Sequence, residues 1–309
     1  MFVANDVRPH PATRAPRWYW HPFNRVLAYR LAEELERLPR RWRLALARRV
    51  AALALRRMPA ERAAVRATLA TVTGAAGARL DALTRRVFQN FAVCFSDLVT
   101  TNRRPAERLL DYVSRVSESR VLEDPTGVVS VTAHVGNWEM AGRLLAGRTR
   151  RRSHVVVAPE VVGGLERWVR RDGDGVRFVA RGPVGVGVEL VAALRRGEVV
   201  ALQGDRAIGT RGDVLIPFFG RPAPFPLGPF ILARAAGVPV VSAFCLLEPD
   251  DRYAIRMAPP VSVERGAEVD AARQWVGVLE EIVREHPTQW FNFFDVWSPF
   301  AGPSRDDDV

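Results

Sequence analysis

The sequence contains no lysine, two cysteines and five histidines in 309 residues. The bland explanation of the missing lysine is coding preference, because a GC-rich genome would favour arginine codons. What remains is 45 basic against 34 acidic residues and a formal charge of +11, an excess that coding preference does not explain. That excess points to an anionic partner: a membrane surface, an acidic protein or nucleic acid. The chain has neither zinc-finger spacing nor an RNA-binding aromatic signature, and its arginines are dispersed, which argues against nucleic acid. Cys94 and Cys245 are far apart and lie in no CxxC or metal-ligand pattern, so buried free thiols in a reducing compartment are expected. No apolar run reaches the roughly 18–20 residues of a membrane span. The first residues, MFVANDVRPHPATRAPRWYW, lack the apolar region of a signal peptide. A cytoplasmic protein, or one attached to a membrane from that side, is expected.

Nearly half the residues are hydrophobic, enough for a packed core. Residues 1–23 are rich in proline and aromatics and form an extension. Residues 24–101 have helical periodicity in three stretches: NRVLAYRLAEELERLP, RRWRLALARRVAALALRRM and RLDALTRRVFQNFAVCFSDLV. From about residue 127 short β-branched runs (GVVSVTA, HVVVA, VRFVA, GEVVALQ, VLIPFF, VPVVSAFCLL) alternate with helical segments (WEMAGRLLAG, GLERWVRR, GVGVELVAALRRG, PLGPFILARAAG). That alternation predicts an α/β fold, with a mixed, largely parallel central sheet flanked by helices and a helical N-terminal portion. A closing helix is expected over 268–286 and a disordered acidic tail over 301–309. No internal repeat or long linker is evident. The predicted organisation is a single domain over 24–300, with a helical lead-in to 126 and an α/β core from 127.

The stretch VVSVTAHVGNWEM puts His134 at the carboxyl end of a buried strand and Glu139 in the first turn of the next helix. In open α/β sheets that edge is where ligands bind. A carboxylate reaching back to the imidazole fixes its tautomer and stabilises the imidazolium formed when it takes a proton. No Ser or Cys stands beside the pair, so the implied chemistry is activation of a substrate's own hydroxyl rather than a covalent intermediate. Spacing alone leaves a second reading open, a capping or core histidine with a favourable charge at a helix start. A further strand end carries Asp205 and Arg206, followed by a glycine-rich turn with Arg211. These arginines suit a phosphate or phosphopantetheine, or an oxyanion, and a local Asp–Arg pair is the alternative. The segment PTQWFNFFDVW, residues 287–297, interleaves Asn292 and Asp295 with aromatics that suit core packing, an acyl-chain lining or an interfacial anchor. Basic clusters at 40–49 and 148–152 fit a solvated helix face, anionic headgroups or an acidic carrier protein.

Two blocks together carry a family resemblance. AHVGNWEMAG resembles the His-x-x-x-x-Asp/Glu block of the lysophospholipid acyltransferase-like superfamily. Its Gly-Asn-Trp-Glu filling is closer to the bacterial lipid A biosynthesis (lauroyl and myristoyl) acyltransferases and their phosphatidylinositol mannoside relatives. GDRAIGTRGDVLIPFFGRPAPFPLGPFILARAAGVPVVSAFC resembles the downstream block of the same family, and the similarity covers most of residues 25–297. The resemblance implies a glycerol-3-phosphate acyltransferase-like fold and transfer of a fatty acyl group from a thioester, on acyl carrier protein or coenzyme A, to a hydroxyl of a lipid or glycolipid. His134 would be the general base and Glu139 its orienting acid. Asn137 and Trp138 would shape the pocket floor, and Asp205, Arg206 and Arg211 would bind substrate. No metal or redox cofactor is implied. Many members begin with a membrane-spanning helix and this sequence shows no such run, so attachment here is expected to be peripheral, on the cytoplasmic face of the inner membrane, through arginines and apolar side chains. A thioesterase or esterase using water as acceptor, or a non-catalytic protein that binds lipid or carrier protein, are the alternatives.

Overall fold

The computed structural model describes residues 34–101, 106–117, 124–149, 151–157, 175–180, 185–207 and 212–297. The 1–23 extension, most of the first expected helix, the GLERWVRR helix, Arg150 of the second basic cluster, Arg211 and the 301–309 tail lie outside the described residues.

The N-terminal portion is helical, as its periodicity predicts. Helix α1 spans Arg40–Arg57, α2 Pro59–Thr73 and α3 Gly77–Thr101. Proline at the first position of α2 separates it from α1, because proline suits a helix start and cannot continue the preceding one. This boundary yields a helix not singled out in the sequence. Val65, Leu69 and Val72 of α2, and Leu80, Thr84, Val87 and Phe88 of α3, fall at three- and four-residue spacing and are buried.

Nine strands follow among the described residues: β1 Val113–Val116, β2 Val128–Thr132, β3 Ser153–Val157, β4 Val176–Ala180, β5 Val199–Gln203, β6 Asp213–Phe218, β7 Arg221–Pro226, β8 Val240–Leu247 and β9 Tyr253–Met257. Helices α4 Trp138–Thr149, α5 Val186–Arg195, α6 Gly228–Ala236 and α7 Glu268–Glu285 alternate with them. Seven strands form one sheet in the order β1-β9-β8-β2-β5-β3-β4. Strands β8, β2, β5, β3 and β4 run parallel, and β9 pairs antiparallel with β8. The fold is therefore mixed α/β with a largely parallel sheet.

Strands β1, β7 and β9 were not expected, and β9 lies beyond the run that predicts β8. Strand β1 lies inside the stretch predicted to be helical lead-in, and pairs parallel with β9 at the sheet edge. Strand β7, RPAPFP, pairs with β6 in a separate hairpin. Its prolines occupy alternate positions opposite Asp213, Leu215 and Pro217, so their missing N–H groups belong to the unpaired edge.

One hydrophobic core joins the two halves, from Leu44 and Phe88 in the helices to Val131 and Phe244 in the sheet. A buried polar network crosses the same boundary. The fully buried Asp97 of α3 accepts hydrogen bonds from Arg40 of α1 (2.6 and 3.1 Å) and from the Tyr253 hydroxyl of β9 (2.9 Å). A carboxylate removed from water persists because the Arg40 guanidinium donates to both oxygens and the Tyr253 hydroxyl adds a second donor to Oδ2.

Candidate active site

Strands β2 and β5 are adjacent and parallel, with Val128 opposite Val199 and Thr132 opposite Gln203. Continued two residues past each strand, that register sets His134 beside Asp205. Side chains at equivalent positions of neighbouring parallel strands point the same way, so the two meet at the carboxyl edge. The His134 ring nitrogen Nδ1 lies 2.7 Å from Asp205 Oδ1, and the His134 backbone N–H donates to Oδ2 at 3.0 Å. Trp290 Nε1–H donates to the same oxygen at 3.0 Å, and Asn292 Nδ2 stands 3.5 Å from it.

Burial alone would push the Asp205 carboxyl upward, but the His134 ring, the Arg206 guanidinium and the Trp290 donor hold it well below the usual carboxylate range. Asp205 is therefore ionised and acceptor-only, which assigns the imidazole proton to Nδ1 and leaves the Nε2 lone pair open. Burial and the nearby Arg206 lower the His134 pKa, against the opposing pull of Asp205 and Glu139. The ring is thus neutral at pH 7 and fit to accept a proton. Its side chain is 12 % exposed, whereas Asp205 is closed to solvent.

Two glycines permit this geometry. Gly136 has φ of +59°, and a Cβ there would sit 2.0 Å from the Cys245 carbonyl oxygen. A Cβ on Gly204 would come within 2.8 Å of Val131 and 3.0 Å of Trp275. The C-terminal segment then clasps the loop: Gly136 N–H donates to Gln289 O (2.9 Å) and Phe291 N–H to His134 O (2.8 Å).

The expected site residues separate in space. Among the described residues, the carboxylate hydrogen-bonded to the His134 ring is Asp205, not Glu139; Glu139 acts on the ring through its charge. Strand register decides this, because it delivers Asp205 directly to Nδ1 while Glu139 belongs to the first turn of α4. Asn137, only 3 % exposed, turns inward: Nδ2 donates to Cys94 O (3.1 Å) and the Tyr253 hydroxyl (3.3 Å), and Oδ1 accepts from Met140 N–H (3.4 Å). It caps α4 and ties the loop to the buried Asp97 network. The Trp138 ring lies 5.0 Å from the His134 ring, and its buried Nε1 has no hydrogen-bond partner. Arg206 donates to Asn292 Oδ1 and Phe291 O, both at 2.9 Å, and its guanidinium covers Phe294.

Trp290 and Asn292 were missed as site residues. The sequence signal was the pair of polar groups set among the aromatics of PTQWFNFFDVW. Both cysteines are free and buried, and burial raises both thiols, Cys94 well above its ordinary value. Neither has the character of a nucleophile. Beneath α4 a narrow apolar crevice of about 40 Å³ is lined by Trp138, Glu139, Val155, Phe178, Leu202 and Ala243.

Residues 18–298 match the family model described as bacterial lipid A biosynthesis acyltransferase. The chain is also 26% identical over 216 residues to phosphatidylinositol mannoside acyltransferases from two Mycobacterium tuberculosis strains, CDC 1551 / Oshkosh and ATCC 25618 / H37Rv, covering 67% of each chain.

Proposed function

The chain belongs to the bacterial lipid A biosynthesis acyltransferase family and is an acyltransferase, and from that premise we propose that it esterifies a hydroxyl of a membrane glycolipid with a fatty acyl group. The donor is an acyl thioester of acyl carrier protein or coenzyme A. The mannosylated lipid named for its relatives supports a sugar hydroxyl as acceptor. His134 Nε2 removes the acceptor proton as the oxygen attacks the thioester carbonyl. The tetrahedral intermediate expels the thiolate, which recovers that proton from the imidazolium. Asp205 holds Nδ1–H throughout and offsets the charge on the ring, and Glu139 adds a second negative charge nearby. Trp138, Arg206 and Arg211 bind substrate. The thioester already carries the activated acyl group, so the step needs no metal or redox cofactor. The protein works as a peripheral enzyme on the cytoplasmic face of the inner membrane; among the described residues no helix is long and apolar enough to cross a membrane.

The observation that carries this reading is the neutral imidazole seated on a buried carboxylate at a strand end, its second nitrogen left open. The test is transfer of labelled acyl groups from acyl carrier protein or coenzyme A to extracted glycolipid. His134→Ala is expected to lower the rate about 10²–10⁴-fold. Free fatty acid as the sole product would instead establish a thioesterase.

A further inference from the structure

Helix α1 is apolar on two faces, and only one of them is covered. Leu44 and Ala51 are buried against the body of the protein. On the outward face Trp42, Leu46, Val50 and Leu53 are exposed, and Leu38 extends the line before the first turn. Their spacing of three and four residues makes one stripe along the helix. Trp42 is 60 % exposed. Among the described residues this stripe supplies five of the nine exposed large hydrophobics. A contiguous patch of that kind signals an unmet partner.

The charges around the stripe identify it. Residues 40–57 contain seven arginines and no acid. Three arginines face inward: Arg40 reaches Asp97 and Asp251, Arg48 reaches Asp251, and Arg43 reaches Thr100 and Tyr112. The outward Arg41, Arg49, Arg56 and Arg57 are exposed and make no ion pair among the described residues. They lie within or beside the stripe, and the Arg41 guanidinium sits 5.8 Å from the Trp42 ring centre. An occupant must therefore be apolar in its interior and anionic at its surface. A second copy fails on charge, because like-charged arginine rows would face one another.

We propose that the outward face of α1 is the membrane-docking surface, with Trp42, Leu46, Val50 and Leu53 entering the acyl–headgroup boundary of an anionic bilayer and the flanking arginines holding its phosphates. Long arginine side chains reach headgroups while their stems stay apolar, and tryptophan favours that boundary. The position suits the chemistry. Asp251 lies in the turn between β8 and β9, beyond the same sheet edge from which His134 and Asp205 emerge. Arg40 and Arg48 clamp α1 to that turn, so docking brings the catalytic edge to the lipid. The inference deepens the proposed function, since its purpose rests on an acceptor that resides in a membrane.

Flotation with phosphatidylcholine vesicles, with and without phosphatidylglycerol, tests it. Wild type is expected to float with anionic vesicles and to release at high salt. Trp42→Ser with Leu46→Ser is expected to weaken partitioning about tenfold or more, with unchanged circular dichroism. Arg49→Glu with Arg56→Glu should weaken it more steeply on anionic than on neutral vesicles. Brominated lipid should quench the fluorescence of wild type more than that of Trp42→Phe. Equal flotation of wild type and the serine pair would overturn the proposal, as would no flotation of wild type, or a dimer that the serine pair dissolves. His134→Ala should float like wild type. Full transfer by that variant would sink the catalytic reading and leave the docking surface standing.

Discussion

Strand β5 carries an acid at each end, and each acid meets a histidine from a neighbouring strand. At the carboxyl end Asp205 holds His134 Nδ1 at 2.7 Å; at the amino end Glu198 holds His154 Nε2 at 2.6 Å. A glycine precedes each acid, Gly204 and Gly197. By distance the two pairs are nearly alike. They differ in what the second ring nitrogen faces. His154 is 2 % exposed and its Nδ1 is buried without a hydrogen-bond partner. The His134 side chain, 12 % exposed, stands at the carboxyl edge with the Trp138 ring 5.0 Å away, and no hydrogen bond occupies its Nε2 among the described residues. The acids differ too: Glu198 is also held by Arg196, while Asp205 has Trp290 and the His134 backbone N–H. A histidine–carboxylate contact is therefore not in itself a sign of catalysis. A base needs a free nitrogen at a face that substrate reaches.

The widest separation is expected between the two histidines. His134→Ala loses about 10²–10⁴-fold in transfer rate, while His154→Ala, assayed with the same thioester and lipid, keeps the wild-type rate within about twofold. A comparable loss in both would break the contrast.

The acids come next. Asp205→Asn is expected to cost about 10²-fold, because Nδ1–H loses its charged acceptor. The pH profile sharpens the test. Asp205 raises the His134 pKa, so its removal lowers that pKa further and moves the acid limb of the rate to lower pH. Asp205→Asn also changes stability. The folded carboxyl lies below its ordinary value, so its contribution is present above about pH 4 and lost as pH falls through the depressed folded pKa. The variant should therefore show a flatter acid limb in thermal melts.

The glycines separate folding from chemistry. At Gly204 an added Cβ meets Val131 and Trp275 side chains, and at Gly197, with φ of +83°, it meets Pro125 O at 2.5 Å. Either alanine is expected to cost about 1–3 kcal/mol of stability by denaturant titration. Only Gly204→Ala should also reduce turnover below the melting range, by displacing Asp205. Glu198→Gln should be mildest, with turnover unchanged and a melting shift of a few degrees at most. A large rate loss there would place chemistry at both ends of the strand.

Much of the fold was legible. Runs such as VVSVTA and GEVVALQ are β-branched and apolar because their strands are buried on both faces. Strand β1, VSRV, shows little of this because it lies at a sheet edge, and β7 hid behind its prolines. In the site, the sequence indicated His134 and placed Asp205 at a strand end, but it paired the histidine with the acid nearest along the chain. Trp290 and Asn292 lie more than 80 residues from Asp205 in sequence, so the polar groups set among the aromatics of PTQWFNFFDVW did not reveal which strand end they meet.

By itself the sequence determined the alternation of strands and helices, the glycines that bare the strand ends, and the presence of a histidine where such sheets bind ligands. Those are local properties, written in side-chain volume, branching and backbone freedom. The tertiary structure alone decided which acid is hydrogen-bonded to that histidine and through which ring nitrogen. Both depend on β2 lying beside β5 in one register, a choice made by long-range packing rather than by neighbours in the chain.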